Sequence, residues 1–528
     1  MKRLFAATAV LLCFVLSTHT FAQTSNATLG GTVADASGAL IPGVSITATN
    51  TQTGIVTMVV SNEAGAYQFA SLQTGVYRVS AELPGFQTKS YSDVVLGVSQ
   101  QVRLNFTLQV GGVAQAVEVT VAADTLLATS SSSVGAVLPE YKVRELPLAT
   151  RDVMDLVGTT AGTLGNMSFA GGRSSQINTT RDGIVVSDGR YLSTNGAYTA
   201  TYASPDLVEE VRVIVAPADA EAGRGSGQVQ MVTRSGTNQF RGALFWLNSN
   251  SALGANSWFN NFNGASKDYQ NRNQFGGRFG GPIVKNKTFF FFLYEGQRYL
   301  TRQLFTANVL TPQARQGIFR FFPNVENGNA FSSNPTVDVL GNPVTPRVAT
   351  GPPPSLSSFS VFGRDPVRPG YDPSGFMQRL TDRMPLPNKY TVGDGLNTAG
   401  YQWVRHIEGQ EDNTGSSPNT NRSQYNVRID HSLSSNHKLS FTGTREYNCC
   451  VSTGTARVTQ WPGGYSGEVS RNPDVYIVSL ISTLSPAIVN EFRSGLRRSH
   501  YKATGSYALP GKIGDEARAF LPKSNGIL

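Results

Sequence analysis

Residues Phe289 to Leu293 read Phe-Phe-Phe-Phe-Leu, inside the strand-like run NKTFFFFLYEGQR. Side chains along a β-strand alternate between its two faces. A strand that is apolar at every position must therefore meet apolar surroundings on both sides. Other stretches of the chain alternate instead. In SQYNVRIDHSLSSNHKLSFTGTREY, Tyr425, Val427, Ile429 and Leu433 share one face, and Gln424, Asn426, Arg428 and Asp430 the other. Ser434-Ser435-Asn436 makes a turn, after which Leu439 and Phe441 resume the apolar face. Tyr476, Val478, Leu480 and Leu484 form a further apolar face, followed by a turn at Ser485-Pro486. Beyond that turn, Phe492 and Leu496 are opposed by Glu491, Arg493 and Arg497. Hairpins that are apolar outside and polar inside are the pattern of a transmembrane β-barrel. On a lumen face these arginines cost little, whereas at the lipid midplane each would cost about 2–4 kcal/mol.

Residues 1–22 have the form of a secretory signal peptide. Lys2-Arg3 precedes the apolar run Leu4–Leu16, and Thr20-Phe21-Ala22 offers small residues for cleavage before Gln23. The run is too short to span a bilayer core of about 30 Å as a helix. No later segment reaches about 20 consecutive apolar residues, so a spanning region must be a closed β-barrel. Charged residues are only 15%, and 54 glycines favour strands and turns over long soluble helices. The net charge of +9 is spread along the chain, and no basic run interleaved with aromatics suggests nucleic acid as a partner. Of three cysteines, Cys13 lies in the leader, leaving Cys449 and Cys450 adjacent as loop thiols or a vicinal disulfide. His406, His431, His437 and His500 stand in no HxxH, HExxH or HxxE spacing, so no metal and no cofactor is expected.

Residues 25–109 carry short alternating runs at about ten-residue spacing, the signature of a small β-sandwich. They are Thr28–Ala34, Val44–Asn50, Ile55–Val60, Tyr67–Ala70, Val76–Leu83 and Val102–Leu108, separated by turn pairs such as Pro42-Gly43 and Ala64-Gly65. Residues 110–121 form a boundary, in which Val117-Glu118-Val119-Thr120-Val121 is a short extended run. Ser130–Ser133 reads as a linker, and helices are expected at Pro139–Leu146 and around Val153, Leu156 and Val157. Asp182-Gly183 between short strands predicts a tight hairpin. Ser204-Pro205-Asp206 has the cap, the first-position proline and the acidic start of a short helix, ahead of a strand at Val211–Val215. Gly223, Gly225 and Gly227 lead into a strand rather than a helix, which excludes a phosphate loop and points to close backbone approach.

Three segments between Ser204 and Arg298 stand in a fixed order: SPDLVEEVRV, AEAGRGSGQVQMVTRSGTNQFRG and FGGRFGGPIVKNKTFFFFLYEGQR. They resemble the plug–barrel junction of TonB-dependent outer-membrane receptors. GTVADASGALIPGVSITATN and NEAGAYQFASLQTGVYRVSAELPGF resemble a carboxypeptidase-regulatory-like domain, a non-catalytic module. Together the chain is similar to the Oar-like branch of that family over roughly residues 25–500. The resemblance implies a mainly β protein in five parts. After the signal peptide come a β-sandwich (25–109), a linker (110–121), a small α/β plug (122–235) and part of an antiparallel transmembrane β-barrel (236–528). The Pro- and Gly-rich segment 305–421 would be an extracellular loop, with a short helix at Thr311–Phe321, and the short turns Lys285–Lys287 and Ser434–Asn436 would be periplasmic. About eight barrel strands are legible where the family has about 22, so the chain is expected to be the amino-terminal part of a longer receptor.

By the same resemblance, Val117 to Val121 would be the TonB box, which pairs as an added strand with TonB and its inner-membrane energising complex. The competing reading makes this run the last strand of the sandwich or the first of the plug. Arg173, Arg181 and Asp182 would face ligand from plug loops, or else pack against charges on the barrel wall. Gly223, Arg224, Gly225, Gly227 and Arg234 would form the plug–barrel junction. The sandwich would be periplasmic, either as a spacer or as a carbohydrate-binding module. The function implied is binding and TonB-driven import of an extracellular ligand (siderophore, oligosaccharide or peptide) across the outer membrane of a Gram-negative-type bacterium, with outer-membrane lipid as its surroundings. The alternative is a secreted or surface carbohydrate-binding adhesin, which would not display the apolar Phe289–Leu293 and outward apolar hairpins. No catalytic residues are expected.

Overall fold

The computed structural model describes residues 26–520 except 112–116, 121–133, 147, 149, 165–167, 174–175, 188–198, 217–226, 263, 363–374, 410–419, 451–466 and 486–487. The expected signal peptide, the Ser130–Ser133 linker and Pro486 lie outside the described residues.

The amino-terminal part is built of β1 (Ala27–Asp35), β2 (Ser45–Asn50), β3 (Val56–Val60), β4 (Ala66–Leu72), β5 (Gly75–Glu82), β6 (Lys89–Leu96), β7 (Gln101–Arg103), β8 (Phe106–Leu108) and β9 (Val117–Thr120). One sheet runs β4-β1-β7 with β8 also on β1, and the other runs β3-β2-β5-β6-β9. Alternation drives the packing: in β5, Tyr77, Val79 and Ala81 are buried while Arg78 and Glu82 are exposed. The inward residues, among them Leu29, Ile46, Phe69, Val79 and Phe106, make one core between the sheets. Sequence patterning misses β6. Its first half, Lys-Ser-Tyr-Ser-Asp, is polar, and Asp93 at φ 59° breaks the register against β5.

The next part contains β10 (Val134–Leu138), helices Glu140–Glu145 and Met154–Val157, β11 (Thr163–Leu164), β12 (Ser168–Phe169), β13 (Ile177–Arg181), β14 (Ile184–Val185), β15 (Val208–Ala216) and β16 (Gly227–Thr233). A mixed sheet runs β10-β15-β16-β13-β14. The helix expected after Ser204 does not form. Ser204 still caps a turn, accepting Asp206 N at its hydroxyl (3.1 Å) and Leu207 N at its carbonyl (3.0 Å). The chain then enters β15 directly. The run from Val208 is rich in β-branched residues, and burial of Val208, Val211, Val213 and Ile214 in the middle of the sheet outweighs the cap signal.

The third part begins with β17 (Arg241–Asn250), a helix Trp258–Phe262, β18 (Tyr269–Val284) and β19 (Thr288–Leu310). It continues through β20 (Ile318–Phe321), β21 (Ser357–Ser360) and β22 (Thr398–Glu408) to β23 (Asn421–Ser432), β24 (His437–Cys450), β25 (Glu468–Ser485) and β26 (Ile488–Thr504). One antiparallel sheet of eight strands runs β17-β18-β19-β23-β24-β25-β26, with β22 also on β19. Among the described residues β17 and β26 are its two edges. β19 is 23 residues long, roughly 75 Å at about 3.3 Å per residue, well beyond an apolar band of about 25 Å even when tilted. Thr288–Gln297 pair with β23, and Leu300–Leu310 pair with β22, which stands end-on above β23. The segment 305–421 is therefore not all loop: its first residues end β19, and Thr398–Glu408 form β22. The helix expected at Thr311–Phe321 is confined to Pro312–Arg315. Gly317, at φ 75°, ends it, and Ile318–Phe321 pair with β21. The remainder of the segment builds a small core of its own from Phe322, Val337 and Leu396.

The mixed sheet sits against one face of the large sheet. Phe291 and Leu293 of β19 and Val475 and Ile477 of β25 join its core with Leu156, Val211, Val229 and Met231. This explains the all-apolar Phe289–Leu293: Phe289, Phe291 and Leu293 are buried toward the inner element, while Phe292 points outward and is 39% exposed. Among the described residues no helix is long and apolar enough to cross a membrane.

Candidate functional site

The seam between the mixed sheet and the strand wall is the most elaborate polar arrangement in the molecule. Its wall side comes from the inward rows of β19, β23 and β24, which the alternation of the sequence already marks as polar. Glu295, Gln297, Arg422, Gln424, Asn426, Thr444 and Glu446 are all buried. Opposite them lies Thr199–Ser204, a segment with no strand or helix signal. Glu446 Oε2 accepts the Tyr202 amide (2.8 Å) and Gln424 Nε2 (2.8 Å), and the same amide of Gln424 reaches Tyr202 O (2.8 Å). The Arg422 guanidinium lies 3.2 Å from the Tyr202 ring centroid and pairs with Glu295 at 3.3 Å. Burial pushes the Tyr202 phenol well above its ordinary range, and it also raises the neighbouring Asp152 carboxyl to about 7. A buried pair such as Arg422–Glu295 contributes little net stability, but removing one partner strands the other at a cost of about 3–5 kcal/mol. The seam thus holds the inner element in one register while remaining polar throughout.

A second cluster closes the seam where the chain passes from inner sheet to wall. Arg428 grips Asp430 (Nε–Oδ2 2.9 Å) and donates to Thr233 O (2.5 Å). Asp430 also accepts Ser235 Oγ (2.6 Å) and Ser440 Oγ (2.8 Å). Asp182 accepts the amide (2.9 Å) and hydroxyl (2.7 Å) of Thr233 and lies 3.7 Å from Arg428. Arg234 pairs with Glu140 (2.6 Å) and donates to Pro205 O (3.2 Å). A Cβ on Gly236 would stand 2.3 Å from Phe290 O and 2.8 Å from Gly281 O, so only glycine lets the chain cross the wall backbone here.

The singled-out residues thus separate. Arg173 is exposed. Arg181 is fully buried, donating to Thr201 Oγ1 (3.2 Å) and Thr444 Oγ1 (3.0 Å), and burial lowers its pKa. Asp182, at φ 49° in the β13–β14 hairpin, belongs to the junction cluster. Arg181 and Asp182 therefore bind the wall rather than a common surface with Arg173. Arg234 and Gly227 are both described, but the close approach at Gly227 is to the Phe169 ring within the inner element. Gly223, Arg224, Gly225 and Val121 lie outside the described residues. Val117 to Thr120 form β9, parallel to β6 from Lys89↔Val117 to Ser92↔Thr120, at the edge of the sandwich sheet. The side chains of Cys449 and Cys450 lie outside the described residues. Among those described, no group of His, Cys, Asp or Glu could hold a metal ion.

The sandwich is fastened to the same assembly from the end where the wall strands turn. Its Val98 amide donates to Glu210 Oε1 of β15 (2.7 Å), and Arg212 donates to Val98 O (3.3 Å) and Ser99 O (2.5 Å). Asn238 bonds Gln52 O (3.0 Å), Thr53 O (2.7 Å) and Asn286 Oδ1 (2.6 Å) in the β18–β19 turn. Lys438, just past the β23–β24 turn, reaches Thr57 Oγ1 (3.4 Å). Glu491, just past the β25–β26 turn, accepts Asn26 Nδ2 (3.4 Å). The sandwich thereby has a contact beside each of the three hairpin turns.

Residues 232–525, more than half of the chain, match the family described as the outer membrane β-barrel domain. The chain belongs to that family. Membership places it in the outer membrane, with the eight-stranded sheet as barrel wall. Residues 28–109 match the carboxypeptidase regulatory-like domain, which corresponds to the sandwich. The chain is 29% identical over 300 residues to the TonB-dependent transporter Oar of Myxococcus xanthus, covering 51% of this chain and 26% of that protein. It therefore spans about a quarter of the length of this curated relative. Among solved structures, the outer-membrane transporter YddB from Escherichia coli is similar at 13% identity over 70% of this chain and 48% of that one, with a TM-score of 0.31. FpvA of Pseudomonas aeruginosa, bound to heterologous pyoverdines, is similar at 12% identity over 71% and 43%, with a TM-score of 0.28. With TM-scores this low, the assignment rests on the family match.

Proposed function

We propose that the chain is the plug-bearing part of a TonB-dependent outer-membrane receptor, which binds an extracellular ligand and admits it by moving the inner element. One observation carries this reading. A separate mixed sheet fills the inner face of the barrel wall and is held there by a polar seam beside an apolar contact with Phe291, Leu293, Val475 and Ile477. An element so placed obstructs a lumen, and a polar seam can exchange its partners for water when the element is displaced. The sandwich lies at the turn end and is assigned to the periplasm, because barrel turns there are short and outer loops long. Its edge strand β9 is the docking strand for TonB: one edge pairs with β6, and the other carries no strand among the described residues. In this reading the protein performs no covalent chemistry, and its ligand is a siderophore, oligosaccharide or peptide.

The test is binding of the purified carboxy-terminal domain of TonB to the protein in detergent. Wild type should bind. Val119→Pro, which removes a backbone donor from β9, should weaken binding at least tenfold, about 1.4 kcal/mol or more. No binding by wild type would overturn the receptor reading, and equal binding by the variant would remove β9 from it.

A further inference from the structure

The outward face of the barrel wall changes character along a single register row. Tyr294 pairs with Tyr425, Tyr425 with Arg445, Arg445 with Asp474, and Asp474 with Arg498. Toward the turn end of this row the outward positions are apolar and exposed, as at Phe292, Val427, Ile429, Phe441, Val478, Phe492 and Leu496. Phe275, Tyr294, Tyr425 and Tyr447 run across four neighbouring strands with ring centroids 6.3, 5.1 and 6.3 Å apart. Aromatic rows of this kind mark the edge of the lipid-facing band. Toward the loop end, Arg298, His500 and Lys502 are exposed on the same face.

The row is more than a solvated charge run. Asp474 is buried (1% side-chain exposure) between Arg445 at 3.8 Å and Arg498, while the two arginine side chains remain 47% and 62% exposed. Arg498 spends Nε and one NH2 on that carboxylate. Arg445 also lies over the Tyr447 ring, 4.9 Å from its centroid. The carboxylate thus fixes the Arg498 fork by hydrogen bonds and attracts Arg445 as an ion pair at the boundary. Arg445 and Arg498 flank it, and Arg298 and Lys502 stand farther toward the loop end, against one acid among the described side chains of this face. A wall surface at the edge of the apolar band is opposite lipid headgroups, and an excess of cations there selects an anionic one. Planar guanidinium forks match phosphate oxygens in particular.

We propose that this row is a docking site for the phosphate of an anionic lipid headgroup, with Arg445 and Arg498 as ligands, Asp474 as their positioning residue, and Tyr425 against the lipid body. The inference rests on the barrel wall and not on the transport reading.

The experiment is native mass spectrometry of the full chain in detergent, with phosphatidic acid, phosphatidylcholine or inorganic phosphate added. Wild type should retain phosphatidic acid and not phosphatidylcholine. The double variant Arg445→Gln/Arg498→Gln should retain it about tenfold less, and Arg445→Lys/Arg498→Lys should recover part of the loss, since charge returns without the fork. Arg103→Gln, an exposed arginine of the sandwich, should change nothing and controls for net charge. Equal retention of both lipids, or equal retention by the Gln variant, would overturn the site. Displacement of the lipid by equimolar inorganic phosphate would show a free-anion site and overturn its assignment to lipid.

Discussion

Glu210 makes the seat of the sandwich sensitive to pH. The residue is 9% exposed, beneath the Gly97–Gln100 turn, and burial raises its carboxyl pKa from the ordinary 4.5 to about 7, against the opposing Val98 hydrogen bond. Undocking returns Glu210 toward water and toward its ordinary value. The docked state therefore binds more protons, which is the reverse of a salt-bridged carboxylate. Docking is strongest below the undocked pKa and weakens as pH rises through the docked one. The full difference corresponds to about 3 kcal/mol at 1.36 kcal/mol per pH-unit change in pKa. Lowering the pH from about 7.5 to about 5.5 should tighten docking roughly twentyfold. The measurement is hydrogen exchange at the Val98 amide, corrected for its intrinsic rate, since that amide is the donor to Glu210. Protection should rise on acidification in wild type. Glu210→Gln keeps an acceptor without the charge, so its protection should be high and flat across the same range. Equal pH slopes for the two proteins would refute the reasoning.

Two further outcomes follow from the barrel. Gly236→Ala places a methyl 2.3 Å from Phe290 O, against backbone that cannot yield, and should lower stability in urea titration by about 1–3 kcal/mol. Gly254→Ala, with its nearest neighbour at 3.7 Å, should stay within about 0.5 kcal/mol. Val427→Arg puts a charge on the outward face and should reduce the folded fraction recovered in lipid vesicles by the equivalent of about 2–4 kcal/mol, less if the site lies near the interface.

How much of this was legible beforehand depends on where the burial comes from. The hairpins of β18–β19, β23–β24 and β25–β26 could be read because alternation is a local property and the turns between them are short. Phe289–Leu293 announced two apolar neighbours without saying which, and the structure supplies the inner sheet on one side. β15 was misread at its start because a good helix cap carries no information about the sheet that later buries it. The polar partners Gln424 and Glu446 stand on a face that the sequence marks as inward. Tyr202, which they hold, sits in a segment without periodicity and is specified only by the wall it meets. Asp182 and Arg234 stood out in the sequence, but their partners Thr233, Arg428 and Glu140 become neighbours only through the fold.

The contacts of the sandwich have one more consequence. Its core is assembled from residues within 27–108, whereas its seat uses Glu210, Arg212, Asn238, Lys438 and Glu491, the last bonded to Asn26 across 465 positions of sequence. Contacts so distant are completed late, after each hairpin has chosen its register. A slip of one residue in any hairpin would turn the polar side chain at its end to the opposite face. The seat of the domain joins stretches of the wall that lie more than two hundred residues apart in sequence.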